Sequence, residues 1–109
     1  MLLATVALAA NFQCSDRRCY GTAQNDINYE RGGNGVGDTI YGLGGDDRIN
    51  ASTFGGDQYY LLGRAGNDRL VARNGDGRDL LMGYRGFDRC FGGPGDPYRD
   101  CEVINGVVQ

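Results

Sequence analysis

Four successive stretches of the chain repeat one pattern: YGTAQNDINYERGGNGVGDTI (Tyr20 to Ile40), YGLGGDDRINASTFGGDQYYL (Tyr41 to Leu61), LGRAGNDRLVARNGDGRDLL (Leu62 to Leu81) and MGYRGFDRCFGGPGDPYRDC (Met82 to Cys101). In register, Gly21, Gly42, Gly63 and Gly83 recur at steps of 21, 21 and 20 residues, and Asp26, Asp47, Asp68 and Asp88 keep the same steps. A fixed period of this length specifies a solenoid, in which each unit buries its apolar edge only against its neighbours. In a chain of 109 residues such an array makes one domain and leaves no room beside it for a catalytic one.

The inward-facing aliphatics in this register are few: Ile40, Ile49, Leu61, Leu70 and Leu81. Against them stand 20 glycines, the residue that loses most backbone freedom on ordering. So sparse a core calls for help from something other than packing. Most of the 14 acidic residues are aspartates, many of them in glycine turns, where they repel one another unless a cation joins them. The simpler alternative is a set of Asx-turns, each aspartate capping its own backbone. Local turn-making, however, does not require the glycines and aspartates of successive coils to stack at one offset.

Within each coil the recurring string is Gly-x-x-Gly-x-Asp-x-apolar, carried by Gly42, Gly45, Asp47 and Ile49, by Gly63, Gly66, Asp68 and Leu70, and by Gly83, Gly86, Asp88 and Cys90. These residues resemble the G-G-x-G-x-D-x-U-x nonapeptide of the RTX (repeats-in-toxin, hemolysin-type) calcium-binding family. The resemblance covers Gly21 to Cys101. It implies an all-β fold, a parallel β-roll or right-handed β-solenoid of about four coils of 20–21 residues. It also implies several Ca²⁺ ions held between successive turns, liganded by backbone carbonyls of the glycine turn and by the aspartate carboxylate. Such a set suits a hard cation that takes about six to eight oxygens.

The two edges of the coil are expected to differ. The first holds Asp26, Asp47, Asp68 and Asp88 in close register, although its first turn has Gln24 where glycine is expected and Asn28 in the apolar place. The second runs through Asp38, Tyr59, Asp79 and Arg99, where Tyr59 and Arg99 cannot replace a carboxylate and only the nearby Asp57 and Asp96 offer an oxygen. Fewer or weaker ions are expected there, with Asp76 and Asp79 as the main exception and Asp38 next.

Strand alternation places Ile27, Arg48, Arg69 and Arg89, with Tyr29, Asn50, Val71 and Phe91, on the outside of the first sheet. The arginines form either a solvated face or a contact for an acidic glycan; a nucleic-acid partner is not expected at a net charge of −3 without a broad basic footprint. On the second sheet the same parity puts Thr39, Tyr60 and Leu80 outside beside Tyr41, Leu62 and Met82. Tyr41, Tyr60, Leu62, Leu80 and Met82 thus make an apolar strip of the kind that monomers seldom leave uncovered. It points to self-association, unless the N-terminal segment covers it.

Residues 1–9 are apolar and finish on Ala7-Leu8-Ala9. They read either as the remnant of a secretion signal or as a retained apolar strand, and are too short to span a bilayer. Residues 10–19 are expected to cap the array and residues 102–109 to form a C-terminal cap or tail, with the roll over 20–101. The four cysteines allow three pairings; the local ones, Cys14–Cys19 and Cys90–Cys101, would staple both ends, with Cys90 and Cys101 facing inward from opposite sheets. A site of four thiolates is the competing reading, but the chain has no CxxC pair and no histidine. Disulfides and an export signal both imply an oxidising, extracellular compartment.

The expected function is therefore that of an exported, non-catalytic calcium-binding roll that folds on meeting external Ca²⁺. The alternatives are a self-assembling extracellular fibre or surface layer and, through Arg48, Arg69 and Arg89, an adhesin for acidic glycans. Neither a nucleophile elbow nor a cysteine-histidine constellation is present.

Overall fold

The computed structural model describes residues 11–14, 18–30, 38–51, 58–73 and 79–109, with residues 11–14 and 28–30 described by backbone alone. Residues 1–9, Asp57, Asp76 and the side chains of Cys14 and Tyr29 lie outside the described set. Every regular element within it is a strand: β1 (Asn11–Cys14), β2 (Arg18–Tyr20), β3 (Ile27–Glu30), β4 (Thr39–Tyr41), β5 (Arg48–Asn50), β6 (Tyr60–Arg64), β7 (Arg69–Ala72), β8 (Leu80–Tyr84), β9 (Arg89–Gly92), β10 (Tyr98–Arg99), β11 (Val103–Ile104) and β12 (Val107–Val108).

Odd-numbered strands stack into one sheet, β1-β3-β5-β7-β9-β11-β12, and even-numbered strands into the other, β10-β8-β6-β4-β2. The chain alternates between them, so each coil contributes one strand to each sheet. All pairings are parallel except β11 with β12. The molecule is thus a parallel β-solenoid. The residues expected to cap its N-terminal end carry β1 and β2, which take the end places in the two sheets.

Register follows the repeat. Ile49 lies opposite Leu70 and Leu70 opposite Cys90 in the first sheet, while Ile40, Leu61 and Leu81 align in the second. These side chains meet between the sheets and are fully buried, because alternation turns every second residue inward. Tyr59, Ala51 and Ala72 add to this core.

The last coil departs from the expected spacing. Tyr98, not Cys101, lies opposite Leu81, and Arg99 lies opposite Met82. The connection there is shorter than in the preceding coils, so Asp96 takes the edge position expected of Arg99. Cys101 falls just after β10, outside the sheet, yet it is buried and joined to Cys90 in a disulfide. Cys19 is also disulfide-bonded.

Beyond β11 the chain reverses through Asn105-Gly106, with φ of 49° and 83°. Ile104 pairs with Val107 across this turn, making a two-residue hairpin of the kind that Asn-Gly favours. The antiparallel β12 ends the first sheet. This hairpin was legible from the Asn-Gly pair between apolar residues but was not expected from the repeat.

Candidate metal centre

On the first edge, Asp47, Asp68 and Asp88 each take the backbone of the coil before. The amides of Asp26, Asp47 and Asp68 donate to Oδ1 of Asp47, Asp68 and Asp88 at 2.7, 2.8 and 2.8 Å. A second file runs the opposite way on the turn's exposed rim. There the amides of Asp46, Asn67 and Phe87 donate to Oδ1 of Asn25, Asp46 and Asn67 at 2.7–2.8 Å. The aspartates therefore do more than cap their own turns; they bind successive coils together.

The remaining oxygens differ between turns. In the first turn Asp26 is served locally: the Thr22 amide donates to its Oδ2 and the Thr22 hydroxyl to its Oδ1. Such capping matches the simple Asx-turn alternative, at the turn where Gln24 breaks the pattern. In the next three, Oδ2 of Asp47, Asp68 and Asp88 is buried and has no hydrogen-bond partner. A buried acceptor left in this state costs about 1–3 kcal/mol, more when charged.

Oδ2 of Asp47 and of Asp88 each share the space at a glycine with a backbone carbonyl. A Cβ on Gly42 would lie 2.5 Å from Asp47 Oδ2 and 2.8 Å from the carbonyl oxygen of Gly63 in the next coil. The glycine at this position is therefore needed for close approach of oxygen atoms as well as for the turn. At Gly45, Gly66 and Gly86 the backbone has φ of 80°, 104° and 112°, the left-handed region that glycine enters without Cβ strain. One feature was not anticipated: Leu43, Arg64 and Tyr84, at the second place of their turns, also have positive φ, at 72°, 74° and 70°. In the resembling nonapeptide that place belongs to glycine.

Burial and neighbouring charge make the aspartates reluctant anions. The Asp47 carboxyl is pushed up to about 7, Asp68 to about 8 and Asp88 to about 6, in each case chiefly by desolvation. Backbone hydrogen bonds lower the values, and adjacent acids raise them. Among the described residues no three His, Cys, Asp or Glu side chains group as a metal site; a cation here would draw much of its coordination from backbone carbonyls. Carboxylate and carbonyl oxygens together suit a hard divalent ion.

The second edge is built differently. Tyr59 is fully buried in the core, and its amide donates to Asp79 Oδ1 at 2.8 Å. The Asp79 amide donates in turn to Asp96 Oδ1 at 3.0 Å. Asp96, rather than Arg99, thus continues this file. Asp38 is fully buried with neither carboxylate oxygen hydrogen-bonded. Asp76 lies outside the described residues, so its juxtaposition with Asp79 is not seen.

Outside the first sheet, Arg48, Arg69 and Arg89 align in register and are exposed. Arg69 lies over the Phe91 ring at 4.8 Å and Arg89 over Phe87 at 5.6 Å. Val71, expected outside, points away from the core but is buried, flanked in register by Asn50 and Phe91. On the second sheet's outer face Tyr60 is exposed, while Tyr41, Leu62, Leu80 and Met82 are half-buried. Tyr41 also stacks on Tyr20 at 4.8 Å.

A family model, the RTX calcium-binding nonapeptide repeat, matches in four copies over residues 32–53 and 62–97, more than half of the chain. The chain belongs to the RTX repeat family. Repeats of this family bind calcium, which fits the buried, unpartnered carboxylate oxygens of this RTX roll. Neither the curated proteins nor the solved structures contain a match to the chain. No helix among the described residues is long and apolar enough to cross a membrane.

Proposed function

We infer that this RTX roll is an exported, non-catalytic module that folds when it meets external Ca²⁺. In this reading Asp47, Asp68 and Asp88 are the main carboxylate ligands, with Asp26 weaker and carbonyls of Gly42, Gly45, Gly63, Gly66, Gly83 and Gly86 completing the shells. Asp38, Asp76 and Asp79 would serve fewer ions on the second edge. The observation that carries it is the file of buried Oδ2 atoms on three successive turns without a hydrogen-bond partner. Desolvated carboxylates make the calcium-free fold costly; an ion that binds only the folded chain turns its binding free energy into folding free energy. Two disulfide-bonded ends fit an oxidising exterior, where the Cys14–Cys19 pairing would close the N-terminal end.

The test is a calcium titration of the purified chain followed by far-UV circular dichroism and reversed with EDTA. A cooperative, reversible gain of β-signal is expected. A spectrum unchanged by either reagent would show that packing and disulfides hold the coil unaided.

The outward-facing apolar strip favours a second role, self-association into a fibre or surface layer through Tyr41, Tyr60, Leu62, Leu80 and Met82. Sedimentation in saturating calcium tests it: growth in size with concentration supports assembly, and a monomer at high concentration removes it.

A further inference from the structure

We propose that Asp100 and Glu102 form a truncated fifth turn that completes a terminal divalent-cation site with Asp88. The proposal rests on the calcium reading above but concerns residues outside the repeated motif.

Three features place a turn there. First, Val103 lies opposite Arg89, so Glu102 stands opposite Asp88, the place each aspartate holds toward the coil before it. The Asp88 amide donates to Glu102 Oε1 at 2.7 Å, as the amides of Asp26, Asp47 and Asp68 do to the next carboxylate in the file. Second, a Cβ on Gly83 would collide with both Asp88 Oδ2 and the carbonyl oxygen of Asp100. At Gly42 the corresponding pair is Asp47 Oδ2 and the Gly63 carbonyl. Asp100 therefore supplies, through its backbone, the oxygen that the first glycine of the next turn supplies elsewhere; its φ of 52° is what turns the chain there. Third, Asp88 Oδ2 is fully buried, unpartnered and aimed into this space.

The turn is compressed. Asp47 lies five positions after Gly42, but Glu102 only two after Asp100. Glu102 still takes the register place opposite Asp88, from which an aspartate reaches the amide of the preceding coil in the other turns. Its backbone is fixed from both sides: the Glu102 amide donates to the Asp88 carbonyl at 3.0 Å, and the Gln109 amide donates to the Glu102 carbonyl at 2.9 Å. The adjacent Cys101 is tied to Cys90, two residues past Asp88. A preorganised carboxylate at the end of the file lets the last repeat hold an ion without a sixth-place aspartate after it.

The experiment counts calcium ions on the full, oxidised chain by isothermal titration calorimetry and equilibrium dialysis. Glu102→Gln keeps an acceptor for the Asp88 amide and removes the charge; it is expected to lose one ion, or to weaken one at least tenfold, with the others unchanged. Glu102→Asp keeps the charge at a register position that carries aspartate in every other turn, and retains the full count. Asp100→Asn leaves the carbonyl in place and tolerates positive φ, so it changes the affinity less than threefold. If the parent chain binds calcium and Glu102→Gln binds the same number with equal affinity, the terminal site is overturned while the calcium reading stands. If Glu102→Asp loses the ion as Glu102→Gln does, the loss is one of packing, and the terminal site is likewise overturned. A parent chain that binds no calcium would overturn both.

Discussion

Along the first edge the turns from Gly42 to Asp88 keep one length and one conformation, whereas the second edge joins its strands through connections of unequal length and gives one aspartate place to Tyr59. On the first edge identical turns let carboxylates stack coil on coil, each binding the amide before it and leaving Oδ2 of Asp47, Asp68 and Asp88 buried without a partner. On the second, a fully buried tyrosine stands at an aspartate place, and its amide donates to the carboxylate of the next coil. One side of the coil thus repeats the same buried carboxylate in turn after turn, whereas the other mixes packing at Tyr59 with the buried, unbonded carboxylate of Asp38. Strict repetition is required for the first solution and not for the second, which explains why length variation collects on the second edge.

The largest expected effect that sharpens this contrast comes from Tyr59→Ala. Removing a fully buried aromatic side chain should cost about 3–5 kcal/mol, measured by urea unfolding in saturating calcium, with the number of bound ions unchanged. A variant that lost ions in proportion to stability would show that Tyr59 serves the metal edge as well.

Acidity probes the first edge next. Asp47, Asp68 and Asp88 have folded values of about 7, 8 and 6 against an ordinary 3.8. Raised folded values mean that the calcium-free fold binds more protons than the unfolded chain, so these groups make it less stable as pH rises from about 4 through 8. In EDTA, β-signal should therefore be greater at pH 5 than at pH 8.5. Calcium has to displace those protons, so its affinity should rise about tenfold between pH 6 and pH 8 at a site whose carboxylate titrates near 7. A calcium affinity flat across that range would separate these carboxylates from the ion.

Leu43→Gly should have the smallest effect. Relief of a left-handed conformation gains about 1–2 kcal/mol, offset by about 0.5–1 kcal/mol of added backbone entropy in the unfolded chain. A neutral to slightly higher melting temperature is expected; a marked loss would mean that the Leu43 side chain contributes contacts that outweigh its strain.

The coil architecture was legible wherever the period held. Steps of 20 and 21 residues set Ile49 against Leu70 and Leu61 against Leu81, because parity decides which side chains face inward. The same inference failed at Arg99 and Cys101, where the last coil shortens and register passes to Asp96 and Tyr98. Glu102 escaped notice for a related reason: its turn has no glycine motif, and only strand pairing reveals that it follows Asp88 in the file. Gln24 marks the first turn as irregular, but residue type alone does not show that Asp26 is capped locally while Oδ2 of Asp47 and Asp68 is left without a partner. That depends on where Thr22 places its amide and hydroxyl, a matter of backbone geometry rather than of residue type.

The most direct test of the division between edges is the calcium isotherm of Asp68→Asn set beside that of Asp79→Asn. Asp68 lies inside the first file, between Asp47 and Asp88, so its loss should remove or weaken at least tenfold the ions on both sides; Asp79→Asn should shift overall affinity by less than threefold. Equal losses from the two variants, or a larger one from Asp79→Asn, would contradict the assignment of calcium chiefly to the first edge.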